Sequence, residues 1–581
     1  MEYIIGIAVF LVVFFVGGIL IQKSNEKKAA ERIKNSFGMV PELEYSYEKY
    51  ESIGYYFREM AKKHPEDAEH TVIDDITWHD LDMDKVYITM NATQSSIGEE
   101  YLYYLLRTPE LNEEKLRKRE ELVEFFSKNA EKRVELQSEL HKAGRINNVS
   151  VYEYLSRLGS VRDESNFKHI MCIVLLLASV LSIVVVPVIG IVALFMVFFY
   201  NIFSYFKRKS EIENYYSVVA YILRTLELSD RICKRTEKEL EPYIEVLREQ
   251  GKLFKSITRG ASLIVSKKSS GDILEVAVDY LRIATHIDLI RFNVMLRKLK
   301  NKKDEFDKIY EIMGLLDSMA AIASFRKLMN VWCVPELKKC NKNNVNSKAV
   351  GEEAVRSNSG CIGIEAKNIY HPMIIDPVKN DFTENGNVLL TGSNASGKST
   401  FIKTVAINSI LAQTVHTVMA DSYSASFFKC MTSMALSDNL SDGESYYIVE
   451  IKSLKRICDA LNPDVPLLIF IDEVLRGTNT LERIAASSRI LSYVGERNCM
   501  LFAATHDIEL TYILEKDFAL YHFEEKVADS KVTFDYKLKN GRAVTRNAIL
   551  LLKMLGFEEE ITEKAEKAAD EYVSTGEWGT V

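Results

Sequence analysis

The chain has 581 residues, too many for a single hydrophobic core, so about three to five folded units are expected. With 47% hydrophobic and 27% charged residues, 26 Gly and 10 Pro, the composition excludes a disordered, collagenous or wholly membranous chain. The 74 Lys+Arg against 82 Asp+Glu leave a net charge of −8, which excludes a global positive field for capturing nucleic acid, so any such partner must be met locally.

The first element is apolar. Tyr3 to Ile21 reads YIIGIAVFLVVFFVGGILI, 19 residues without a charge, about the length a helix needs to cross the hydrocarbon layer. It starts without a basic segment and runs into Lys23, Lys27, Lys28, Arg32 and Lys34. That pattern predicts an uncleaved anchor with the following chain in the cytoplasm. Residues 23–168 then carry helical periodicity rich in Glu, Lys and Leu, with a strand expected only at Lys85 to Thr89.

A second apolar stretch, Ile170 to Tyr200, holds 31 residues without a charge and is broken by Val186-Pro187-Val188-Ile189-Gly190. One long tilted helix or two short helices turning at Pro187 both fit. Basic residues at both ends, Arg157, Arg162 and Lys168 before and Lys207, Arg208 and Lys209 after, favour the hairpin. Long charged helices are expected over 207–340, where Pro242 and Pro335 are the only prolines. Two stretches there are locally positive: Arg231 to Lys268 has ten Lys/Arg against five Glu, and Arg297 to Lys308 has six against three acids. Such a surface either clamps phosphates without reading sequence or forms a solvated face near anionic lipid. Lys338 to Gly360 is polar and rich in Asn and Ser, which predicts a linker before short strands begin to alternate with helices.

The chemistry-bearing motifs follow that linker. Asn387 to Leu390 is an apolar strand feeding Thr391-Gly392-Ser393-Asn394-Ala395-Ser396-Gly397-Lys398-Ser399-Thr400, with helical character from Phe401 to Ala412. This is the G-x-x-x-x-G-K-[ST] spacing in its strand–loop–helix context. Backbone amides over 392–400 would cradle phosphate, Lys398 would reach the terminal phosphates of ATP, and Ser399 would give its hydroxyl to Mg²⁺. Pro466 to Ile471 reads as a buried parallel strand ending in Asp472-Glu473, so Asp472 is expected to hold Mg²⁺ and Glu473 to polarise the attacking water. A third strand, Met500 to Ala504, ends in Thr505-His506 and brings an imidazole to the same edge.

The eight cysteines include no C-x-x-C pair and the ten histidines no H-E-x-x-H, so a reducing compartment and no structural metal are expected.

At these residues the chain resembles the MutS family of DNA mismatch repair ATPases. Gly443-Glu444-Ser445-Tyr446-Tyr447-Ile448-Val449-Glu450-Ile451 is similar to the family's G-R-S-T-F-M-V-E-M, Asp472 to Thr480 to its D-E-x-x-R-G-T-S-T, and Ala504 to Leu510 to its A-T-H-Y-x-E-L. Tyr370-His371-Pro372 and Asn380-Asp381 resemble its R-H-P and N-D, Leu81 to Val123 the start of its helical core, and Ala548 to Ala565 its C-terminal dimer-forming helices. The resemblance implies a homodimer in which Ser445 completes the partner's site, and it adds His371 to the nucleotide-binding residues. Glu444 in place of arginine, Asn479 in place of serine and the altered P-loop filling at Ser393, Ala395 and Ser396 depart from the pattern. Arg476 has two readings, structural or dimer-sensing. Phe57-Arg58-Glu59 matches the mismatch-reading F-x-E only as a triplet in a charged helical stretch, so mismatch reading is not expected.

The expected fold is an α/β P-loop ATPase domain of the ABC type with a mainly α-helical core and lever and transmembrane helices. Its divisions are an anchor at 1–22, a helical linker at 23–72, a MutS-core-like helical domain at 73–168, a transmembrane hairpin at 169–206 and a helical lever at 207–340. A linker at 341–360, the ATPase domain at 361–540 and dimerisation helices at 541–581 complete it. The expected protein is a multi-pass cell-membrane ATPase with its ATPase domain in the cytoplasm, using ATP and Mg²⁺ and binding double-stranded DNA without sequence preference. Leu440-Ser441-Asp442-Gly443-Glu444 is similar to the L-S-G-G-Q signature, so a membrane transport ATPase is the first rival reading and a nucleotide-stabilised scaffold the second.

Overall fold

The computed structural model describes residues 17, 20–21, 23–63, 65, 71–161, 164–258, 273–339, 363–393, 396–434, 446–461, 465–476, 478–528, 531–543, 549, 552–553, 555–576 and 578–580. Most of the 3–21 apolar run, the 341–360 linker, Asn394, Ala395 and Ser445 lie outside these residues. The chain forms two compact units. One comprises Met1–Pro65, Tyr87–Leu106 and Arg117–Leu328, the other Glu66–Val86, Arg107–Leu116 and Met329–Val581. The block expected at 73–168 is therefore shared between them.

The first unit is helical. Its two most apolar helices, Phe167–Val185 and Pro187–Ile232, are consecutive and pack along one another, with Val186 between them. Proline at the first helical position costs no hydrogen bond and starts the second helix. Gly190 lies there because an added Cβ would stand 2.4 Å from the backbone nitrogen of Ile183. Both helices are long and apolar enough to cross a membrane. The second runs unbroken for 46 residues, so the expected boundary at 206 falls inside a continuous helix.

Buried acids pin this unit together. Asp317 accepts hydrogen bonds from the N–H groups of Gln94 (2.9 Å) and Ser95 (2.9 Å) and from the Ser95 hydroxyl (2.6 Å), just ahead of the Ser96–Arg107 helix. Glu100 accepts from Ser150 Oγ, Tyr310 OH and the Val151 N–H at 2.8–2.9 Å. Burial pushes the carboxyls up, Asp317 to about 6 and Glu100 to about 7.

The strand expected at Lys85 to Thr89 is a helix, Met83–Met90. Met83, Val86, Tyr87 and Met90 are all fully buried, the i, i+3, i+4, i+7 spacing of one helical face. That face outweighs the β-branched residues that suggested a strand.

The second unit is built on strands β1 (Glu336–Lys338), β2 (Ile364–Ile369), β3 (Asn380–Glu384), β4 (Asn387–Thr391), β5 (Ser422–Ser426), β6 (Lys429–Ser433), β7 (Leu467–Asp472), β8 (Cys499–Ala504), β9 (Phe518–His522), β10 (Glu525–Ala528), β11 (Lys531–Phe534) and β12 (Lys539–Asn540). A six-stranded sheet runs β12-β9-β4-β8-β7-β6, parallel except for the β12 edge. A four-stranded sheet runs β1-β5-β2-β3, and β10 and β11 form an antiparallel pair.

The central strands are buried on both faces, which explains their continuous apolar runs. Leu467, Ile469 and Ile471 join Leu454 and Ile457 of the Tyr446–Asp459 helix and Leu491 and Val494 of the Thr480–Gly495 helix in one core. On the opposite pleat Phe470 stacks on Phe502 with centroids 5.0 Å apart, and Phe382 meets both Phe502 and Phe401, the latter from the Lys398–Thr414 helix. Asp80 accepts from Thr432 Oγ1 (2.6 Å) and the Met434 N–H (3.0 Å), which fastens residues 71–86 to the β6 edge.

Candidate nucleotide site

Register brings the site together. Leu390 pairs with Ala504, and Ala504 with Asp472, so the loop after β4, the acids after β7 and His506 after β8 emerge side by side at the carboxyl ends of parallel strands. Such an edge is where open α/β sheets bind ligands. The Glu473 N–H donates to Ala504 O (3.0 Å) and the Thr505 N–H to Leu390 O (2.9 Å), extending the alignment one residue past each strand.

The loop itself needs its glycines. Gly392 has φ +143°, and a Cβ there would stand 2.6 Å from the Phe523 carbonyl; Gly397 has φ +110° and caps the Lys398–Thr414 helix. With 17 residues behind it, that helix N-terminus favours an anion. Lys398 Nζ donates to the carbonyls of Gly392 (2.7 Å) and Ser393 (2.9 Å) and lies 3.4 Å from His506 Nε2. Burial lowers its ammonium to about 8, opposed by Asp472 and reinforced by Arg476. Ser393 Oγ donates to Glu525, an acid absent from the sequence expectations.

Glu473 faces His506, its Oε1 3.0 Å from Nε2, and forms an ion pair with Arg476. Burial, Lys398 and Arg476 together hold the imidazole below its ordinary value, so it is neutral near pH 7. Asp507 anchors the loop beyond it by a two-point pair with Arg483 of the Thr480–Gly495 helix (2.6 and 2.9 Å).

A cavity of about 590 Å³ opens beside these groups, lined by His371, Ser396, Ser399, Thr400, Glu473 and Tyr536 among others, within the range of small-ligand sites. His371 is buried at one wall, its pKa lowered to about 4 by burial and by Lys403, and its Nδ1 accepts from the Met373 N–H (3.2 Å). The residues fit a phosphate and a divalent cation. Among the described residues Asp472 Oδ1 is buried with no hydrogen-bond partner, and Ser399 is exposed at the cavity wall.

Of the sequence-predicted residues, the structure brings together Gly392, Ser393, Ser396, Gly397, Lys398, Ser399, Thr400, His371, Asp472, Glu473 and His506. Arg476, Arg483 and Glu525 were not assigned to the site from sequence, because their roles depend on contacts across 3 to 132 positions of chain.

A parallel-stranded sheet with a glycine loop entering a helix, a buried lysine, and an Asp-Glu pair at the same edge define a P-loop, ATPase-type domain. Residues 388–572 match the family model MutS domain V. Curated relatives include the DNA mismatch repair protein MutS of Natronomonas pharaonis, 30% identical over 221 residues that cover 35% of this chain and 26% of that protein. The DNA mismatch repair protein MutS of Aquifex pyrophilus is 32% identical over 212 residues, 35% of this chain and 25% of that protein. That of Petrotoga mobilis is 25% identical over 346 residues, 56% of this chain and 39% of that protein. Residues 388–572 thus carry the likeness to MutS domain V, and the chain spans about a quarter to two-fifths of the length of these relatives.

Proposed function

We propose that this chain is a MutS-like ATPase that binds ATP with Mg²⁺, hydrolyses it, works as a homodimer and is anchored in the cell membrane with its nucleotide-binding part in the cytoplasm. The observation that carries the reading is the convergence of Lys398, Asp472, Glu473 and His506 at the carboxyl ends of β4, β7 and β8, where Lys398 and Glu473 line the cavity. On binding, Lys398 exchanges the carbonyls of Gly392 and Ser393 for phosphate oxygens. Asp472 and Ser399 would hold Mg²⁺, which neutralises phosphate charge when bound. Glu473 orients and polarises the attacking water, and His506 stays neutral beside it.

In this reading ATP joins two nucleotide heads, because the closed dimer alone contacts the terminal phosphate from both sides, and hydrolysis reopens it. The helical unit converts that cycle into mechanical work. Duplex DNA is the proposed partner, held through phosphates and without mismatch reading. The buried position of Phe57, in the Tyr55–Lys63 helix, argues against its use as a wedge. Part of the positive surface has internal work, since Lys298, Lys300 and Lys302 donate to the carbonyls of Ser256, Val161 and Leu253.

The test is Mg²⁺-dependent phosphate release by the purified full chain in detergent, with Lys398→Ala beside it. The parent is expected to hydrolyse ATP and the variant to lose ATP binding by at least about a hundredfold, as removal of a buried charge-assisted contact implies. Equal ATP affinity in both proteins would overturn the assignment of Lys398.

A further inference from the structure

At the foot of the apolar hairpin the chain buries a polar cluster that the nucleotide site does not use. His169, in the Phe167–Val185 helix, and His286, between the Ile273–Thr285 and Ile287–Lys300 helices, are 7% and 0% exposed, and their Nδ1 atoms lie 2.9 Å apart. His286 is left-handed, φ +55°, a conformation that a non-glycine residue keeps only where its contacts over-determine it. Its Nε2 lies 2.8 Å from the carbonyl of Asn201 in the Pro187–Ile232 helix, and Asn201 Nδ2 donates to the carbonyls of Ala284 (2.8 Å) and Cys172 (3.3 Å). The turn at 286 thus meets both helices of the hairpin.

These contacts fix the protons. A carbonyl only accepts, so His286 carries hydrogen on Nε2, and in the neutral ring its Nδ1 is bare and accepts the Nδ1–H of His169. One proton fits between the two rings. A second, on His286 Nδ1, faces the His169 N–H unless His169 changes tautomer, and in either case it places a cation in a buried site.

The surrounding charges do little to accept that cation. Lys168 and Arg208 act on His169 with like charge, and Lys209 lies 3.9 Å from Asp288. Asp288 acts on His286 with opposite charge, but its Oδ2 is taken by the hydroxyls of Tyr205 (2.7 Å) and Tyr216 (3.2 Å). Glu164 and Glu211 pair with Arg208, and Asp279 with Arg282. Burial accordingly holds the His286 imidazole below its ordinary value, against the Asn201 contact and Asp288. The neutral form is the one bound, so its contribution is present above about pH 6.5 and is lost as pH falls below it.

We propose that His169 and His286 form a proton-sensitive clasp between the apolar hairpin and the 273–300 helices: neutral, it holds the first hairpin helix on the 286 turn, and protonation opens that contact. The amide ties of Asn166 to Asn293 (2.9 Å) and of Asn201 to Ala284 do not titrate and remain. The clasp needs neither nucleotide nor a second copy, so its failure would leave the ATPase reading untouched.

Hydrogen–deuterium exchange of the full chain in detergent, without nucleotide, tests it at about pH 7.5 and about pH 5.5, each rate divided by the intrinsic rate at that pH. Peptides covering 167–175 and 282–292 are expected to exchange at least about fivefold faster at the lower pH, within the roughly tenfold that one histidine bound neutral allows over that range. Peptides covering 309–325 are expected not to speed up. Asp317 and Glu100 act there in the opposite sense, holding their part of the unit more tightly as pH falls, so a rise confined to the clasp is not general loosening. His169→Asn with His286→Gln, which puts an amide in place of each ring, is expected to bring the ratio to near one. Asp288→Asn, which keeps an acceptor for both hydroxyls and removes the acid acting on His286, is expected to move the midpoint to lower pH, a shift that packing alone does not give. Should the double variant fold poorly, the parent and Asp288→Asn decide. A ratio near one in the parent, an equal rise at 309–325, a parental ratio kept in the double variant, or an unmoved midpoint in Asp288→Asn overturns the proposal.

Discussion

His506 Nε2 faces two groups that ask opposite things of it. Lys398 lies 3.4 Å away as a donor and Glu473 lies 3.0 Å away as an acceptor, and a neutral imidazole nitrogen can serve one of them. In the proposed cycle, once Lys398 turns to phosphate, the imidazole tautomer with its proton on Nε2 would donate to Glu473 and hold its carboxylate toward the water. The lysine's own proton sets a pH dependence. Burial holds Lys398 at about 8 in the nucleotide-free protein, whereas a phosphate favours the charged ammonium, so binding takes up a proton whenever Lys398 starts neutral. ATP affinity is therefore expected to be flat below about pH 7.5 and to fall by up to about tenfold per unit above pH 8, measured by titration with a fluorescent ATP analogue. Constant affinity to pH 9.5 would show that Lys398 stays charged without nucleotide. Lys398, Asp472, Glu473 and His506 were legible one residue at a time because each terminates or follows a recognisable apolar strand. Arg476 left two readings in the sequence, and only the folded turn shows it paired with Glu473.

At the scale of elements, strands β4, β7 and β8 and the Lys398–Thr414 helix stood out in sequence, since uninterrupted apolar runs ending in polar residues mark strands buried on both faces. Met83–Met90 did not, because eight residues hold too few turns for the helical period to outweigh β-branched neighbours. The long-range caps were equally hidden: Asp317 reaches back 222 positions to Ser95, and Glu100 reaches 210 positions forward to Tyr310. These two acids give the helical unit a pH signature. Each has its folded value raised, from 3.8 to about 6 for Asp317 and from 4.5 to about 7 for Glu100, so its contribution to stability is complete below about pH 4 and is lost as pH rises to about 7. Thermal unfolding followed by circular dichroism is expected to show a higher midpoint at pH 5 than at pH 8, and Glu100→Gln is expected to flatten that slope. A slope identical in parent and variant would remove Glu100 from this account.

For the whole molecule, the two apolar helices of the helical unit and the positive stretches around them carry the remaining claims. Among the described residues Val184 and Val188, exposed at 84% and 75%, and Phe199, at 65%, are left uncovered, and the proposed anchoring would place them against lipid. The chain is expected to stay with membranes through an alkaline carbonate wash and to leave them only in detergent; recovery in the wash would contradict anchoring. In detergent, its affinity for a paired duplex is expected to fall steeply between about 50 and 200 mM salt and to differ little for a mismatched one. A strong mismatch preference would contradict the phosphate-only reading.

The central claim, ATP held and cleaved between two copies of this chain, is tested most directly by Glu473→Gln. The purified variant, mixed with Mg²⁺ and ATP, desalted and weighed in solution, is expected to be a dimer carrying uncleaved ATP, while the parent under the same treatment carries ADP or none. A variant that remains monomeric and releases its nucleotide, or that turns over at the parent's rate, would contradict the account.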